Sequence, residues 1–156
     1  MIELLAFLNF FEIGRIKEVL CTGLINDSDK VEKTIIYNSK NGKLYEYDSF
    51  QEKFFLKEKN KPVTEDVFGI AGYVGTYNFE SIFIGNNLKF MEKLSADVDL
   101  FGFPTQVETT EIIKIINAKN ESSNYKAEYS LTGFNGLKNV DVKSDLNCKL
   151  IDTYSF

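Results

Sequence analysis

Tyr125, Ala127, Tyr129 and Leu131 alternate with Lys126, Glu128, Ser130 and Thr132, and the run ends at Asn135-Gly136. A period of two gives a strand one apolar and one wet face. An Asn-Gly pair accepts the positive φ angles of a tight hairpin turn. Together they commit this part of the chain to a half-buried antiparallel sheet. The strand beyond the turn carries Val140 and Val142, and a last strand holds Cys148, Leu150 and Tyr154. A second pair, Asn41-Gly42, separates two β-rich runs between Thr34 and Tyr47 and predicts another hairpin of the same kind. Residues 67–74 are apolar on both faces, as in a central strand covered on both sides, and residues 77–84 read as its neighbour.

Helical spacing appears elsewhere. Leu4, Leu5, Leu8, Phe11, Ile16, Val19 and Leu20 predict a helix over 2–20, stopped by Gly23. Leu88, Met91 and Leu94 follow an Asn cap and predict a short central helix. Thr105 and Glu108 match the T-x-x-E capping box, which starts a helix running to about Lys119, although Val107, Thr109, Thr110 and the isoleucines that follow also fit a strand. The expected fold is therefore α+β: a mainly antiparallel sheet of about six to eight strands with two Asn-Gly hairpins, an N-terminal helix and one or two central helices. At 156 residues the chain is read as one domain. The similarity of 41–50 to 147–156 does not extend into the flanks and is no duplication.

The residue inventory removes most catalytic classes. There is no histidine, so imidazole bases, Ser-His and Cys-His pairs and histidine metal ligands are excluded. Arg15 is the single arginine. A net charge of −5 argues against nucleic-acid binding. The N-terminal apolar run has no positive n-region, and Asn9, Glu12 and Arg15 interrupt it too early for a membrane span. Cys21 and Cys148 lack CxxC spacing and read as buried, inert thiols in a reducing compartment, so a cytoplasmic location is expected, with no cofactor and no metal.

Three motifs bear on chemistry. The stretch 97–108 offers Asp97, Asp99, Gly102, Thr105 and Glu108 at calcium-loop spacing, but Phe101 cannot ligate and Pro104 blocks the usual pairing. Gly69, Gly72 and Gly75 interrupt an apolar strand rather than open a helix, which suits close packing better than phosphate. Ser123 and Lys126 have S-x-x-K spacing at a loop-to-strand junction, where no helical turn joins them. Carboxylate pairs stay open, because 23 acids supply many.

What survives favours binding over catalysis. The leading expectation is a small acidic inhibitor or immunity-type protein neutralising a toxin or nuclease, so a basic protein is the expected partner. Its expected contact surface is Glu92, Asp97, Asp99, Glu108 and Glu111, opposed locally only by Lys89 and Lys93. The alternatives are a small-ligand-binding protein or carboxylate enzyme with a pocket in the sheet, and a structural, phage-type assembly protein.

Overall fold

The computed structural model describes residues 16–25, 29–57, 60–67, 70–100 and 102–154. They form β1 (Ile16–Ile25), β2 (Asp29–Asn38), β3 (Leu44–Asp48), β4 (Lys53–Leu56), β5 (Asn60–Val67), β6 (Ile70–Ile84), β7 (Asn87–Leu100), β8 (Phe103–Ile115), β9 (Asn124–Phe134) and β10 (Asn139–Tyr154). All ten join one sheet in the order β4-β3-β2-β1-β10-β9-β8-β7-β6-β5, and every neighbouring pair is antiparallel. The described strands thus form a meander in which β1 and β10 pair with each other. Its one missing ladder falls between β4 and β5, the two edges.

The sheet is curled into a half-barrel. In a flat sheet β2 and β8, with three strands between them, would sit roughly 19 Å apart. Yet Lys33 of β2 reaches Glu111 of β8 at 3.1 Å. The Gly42 turn at the end of β2 likewise packs against Phe83 and Leu88 of β6 and β7. Curling makes a concave interior, filled by Val19, Ile35, Tyr37, Leu44, Phe79, Leu88, Phe90, Ile113, Ile115, Tyr129 and Leu146. The β8–β9 connection folds across one end: Tyr37 donates to the Ala118 carbonyl at 3.0 Å and the buried Lys17 ammonium to the Asn120 carbonyl at 3.0 Å.

The α+β expectation is overturned, because the described residues form an all-β fold without a helix. The expected helix over 2–20 lies outside the described residues up to position 15, and from Ile16 its sequence is β1. Residues 87–94 belong to β7, where Leu88, Phe90, Leu94 and Ala96 face inward, while Met91 turns to the other face. A cross-strand partner on each side enforces period two over the chance i, i+3 spacing. The Thr105–Glu108 capping box is spent in β8, whose β-branched residues suit a pleated surface. Residues 67–74 are not one strand either, since Val67 ends β5 and Ile70 begins β6. Both Asn-Gly hairpins are present, with Gly42 at φ 73° and Gly136 at φ 97°. The strand count exceeds the expected one.

Cys21 and Cys148 stand opposite each other in the β1–β10 register and form a disulfide, which corrects the reading of two inert thiols. Disulfides persist in oxidising compartments, so the cysteines no longer argue for a cytoplasmic location.

Two stability tests follow from this architecture. The disulfide closes a loop of 127 residues, and its removal in Cys21→Ser/Cys148→Ser is expected to lower unfolding free energy by about 2–5 kcal/mol, measured as a denaturant midpoint. Gly133 has φ 128° and a Cβ there would overlap the Glu108 carbonyl, so Gly133→Ala is expected to destabilise by well over ~1 kcal/mol.

Candidate functional site

Lys33 is in phase with Val31, Ile35 and Tyr37, all buried, so its ammonium enters the concave side of an apolar strand. An inward charge needs a partner, and Glu111 supplies it. The Tyr129 hydroxyl donates to Glu111 Oε2 at 2.9 Å, completing a Lys33–Glu111–Tyr129 chain. Burial first, then the Glu111 charge and hydrogen bond, raises the Tyr129 phenol above its ordinary pKa. Glu92 stands directly opposite Glu111 in the β7–β8 register. Two like charges at that spacing repel, and Glu92 has its own cation: Lys57, just past β4, at 2.5 Å. The Lys57 ammonium also lies 4.8 Å from the Phe79 ring centre and 3.8 Å from Glu46. Two lysines thus hold two neighbouring glutamates in the concave interior.

This polar layer lies beside an opening. β2 and β3 pair only at Ile36–Tyr45 and Tyr37–Leu44 before they diverge. A cavity of about 420 Å³ occupies the gap. Its walls include Lys33, Ile35, Leu44, Glu46, Phe90, Glu92 and Glu111 from the concave side, and Thr34, Ile36, Tyr45 and Tyr47 from the other face, so residues of both faces border it. On the outer rim Tyr154 donates to Glu18 at 2.7 Å, and Phe54 packs between Tyr154 and Tyr47 with ring centres 4.5 and 5.0 Å away. The hydrogen bond to Glu18, then burial, pushes the Tyr154 phenol up to about 12.

The five acidic residues expected to form one contact surface are divided. Glu92 and Glu111 come together inside and line the cavity. Glu108 lies on the convex face, paired with Lys93 at 2.8 Å, and the exposed Asp97 stands opposite Gln106. Asp99 stands opposite Pro104 in the same ladder. Asp97 and Asp99 lie in β7 and Thr105 and Glu108 in β8, so the candidate calcium ligands are spread along two paired strands instead of round one point. Gly72 and Gly75 lie within β6, and Gly69 is outside the described residues. Lys126 bonds Asn147 across the β9–β10 ladder. Sequence reasoning missed Glu18, Lys33, Glu46, Lys57 and Tyr129. A lysine in the apolar phase of a strand, as at Lys33, was the one local signal for any of them.

The rim has a pH signature. A phenol whose folded pKa is raised stabilises the fold while protonated, so Tyr154 contributes fully below pH 10 and loses its contribution as pH rises toward 12. Tyr154→Phe is expected to cost about 0.5–1.5 kcal/mol at pH 8. The difference between its urea midpoint and that of the wild type is expected to shrink between pH 10 and 12. No protein-family model, no curated protein and no solved structure matches this chain.

Proposed function

We propose that the protein is a non-enzymatic binding module whose ligand is a small organic cation, an amine with an apolar or aromatic body, taken up through the opening between β2 and β3. One observation carries this reading: among the described residues, the cavity there is lined by four glutamates (Glu18, Glu46, Glu92 and Glu111) against two lysines (Lys33 and Lys57). Two negative charges are left over in a partly enclosed space, where the field of a carboxylate is less screened than in bulk water. The volume suits a small molecule. Tyr45, Tyr47 and Phe90 supply apolar and π surface beside the carboxylates, which favours an ammonium group over a bare metal cation.

The lysines have a positioning part in this reading. Lys33 and Lys57 hold Glu111 and Glu92 in place from within the barrel. Glu46 and Glu18 border the opening from the concave and the outer face, so a bound ammonium has carboxylates on either side of it. The inhibitor reading keeps only the overall acidity as support, since its expected contact residues are spread over both faces of the sheet.

The test is calorimetric titration of the intact protein with alkyl- and arylamines, and with the corresponding alcohols and carboxylates as controls. Saturable amine binding is expected, with no binding of the acids. Glu111→Gln and Glu92→Gln are each expected to weaken it by about ten- to a hundredfold, the worth of a hydrogen bond to a charged group. Equal binding of amine and alcohol, or full affinity in both variants, would overturn the proposal.

A further inference from the structure

The convex face across β6 to β10 carries charges in an order that the fold does not explain. The register aligns Ile82, Lys89, Lys114, Glu128 and Asp145 in one row on five consecutive strands. Continuing the β1–β10 register from Thr22–Asn147 places the exposed Leu24 next in line. The row therefore reads apolar, plus, plus, minus, minus, apolar. Like charges on neighbouring strands repel, and this row sets Lys89 beside Lys114 and Glu128 beside Asp145. None of the four makes an ion pair with another described residue. A groove of about 540 Å³ runs over them, with Ile84 and Ile112 in its walls, so the face is not evenly convex.

We infer that this face binds a second copy of the chain in a two-fold dimer. A dyad parallel to the strands, lying between β8 and β9, sets each row against its own reverse. Lys114 then faces Glu128 of the second copy across the axis, with Lys89 directed toward Asp145 beyond them, and Ile82 and Leu24 end the row where the sheet curls away. The neighbouring rows agree with the same axis. Asn78, Lys93, Thr110, Thr132 and Asp141 form one row, in which Lys93 meets Asp141 and Thr110 meets Thr132. In the row of Met91, Ile112, Ser130 and Lys143, Ile112 meets Ser130 and Met91 meets the Lys143 stem. No row sets like charge against like. An interface between identical patches must be self-complementary in this way, and a foreign partner requires no such palindrome. β2 and β3 lie outside the paired rows, so the cavity between them stays open in the dimer.

Sedimentation of the intact protein tests this directly. Wild type is expected to be dimeric at roughly 50 µM in low salt and to dissociate as salt rises. Lys114→Glu and Glu128→Lys each place like charges face to face twice per dimer, and each is expected to weaken self-association by at least about 100-fold. An equimolar mixture of the two restores opposite charges at every contact and is expected to form a heterodimer. The double variant Lys114→Glu/Glu128→Lys is expected to dimerise as wild type does, which separates lost pairing from lost folding. A monomeric wild type, single variants that remain dimeric, or a mixture and double variant that both stay monomeric would overturn the inference.

Discussion

The ladder between β1 and β10 is the constraint on which the other features depend. Through it β1 has partners on both sides, so the described strands, which would otherwise make two sheets with four edges, make one sheet with two. The Cys21–Cys148 bond lies within this ladder, and the register shift at Glu18/Val19 lies two residues from it. A bulge raises local twist and bends the strand, which is what a curling sheet needs at its middle. Lys17, beside the bulge, is only 2% exposed and ties β1 to the loop that covers one end. Covalent, backbone and charge-assisted contacts converge on one strand.

Curling separates the protein into two chemical environments. Inside, the short reach across the bowl brings charges from distant strands together, and each glutamate on β7 and β8 is answered by a lysine from the opposite wall. Outside, neighbouring strands remain side by side and their charges stay as the register sets them. Glu92 and Glu111 inside are therefore each matched by a lysine, whereas Lys89, Lys114, Glu128 and Asp145 on the convex face form no ion pair with another described residue. Both readings of function grow from that contrast: one from the excess of carboxylate at an opening, the other from a charge row matched by its own reverse.

Much of the sheet was legible locally and little of the site was. The alternation at Tyr125–Leu131 and the turns at Gly42 and Gly136 depend on residues within a few positions of each other, and the structure contains them as read. In β7 the inward set includes Glu92 between Phe90 and Leu94. That charge broke the apolar alternation, and the i, i+3 spacing of Leu88, Met91 and Leu94 looked helical in its place. Glu92 can face inward because Lys57 meets it, and Lys57 arrives from beyond the far edge of the sheet. The two cysteines posed the same difficulty, since their pairing depends on a register formed across most of the chain.

The position of β1 in mid-sheet has a consequence for how the molecule is made. β5 to β10 can zip together from neighbour to neighbour, each ladder closing a short loop, and β1 to β4 can do the same. The ladder that joins the two halves pairs residues such as Thr22 and Asn147. Contacts so distant in sequence form late, after the chain entropy of a long loop has been overcome. On the ribosome the partner strand follows β1 by more than a hundred residues, since Cys21 and its partner Cys148 are 127 positions apart, so one flank of β1 stays unpaired through that interval. The two groups of strands become a single sheet only once β10 has been made.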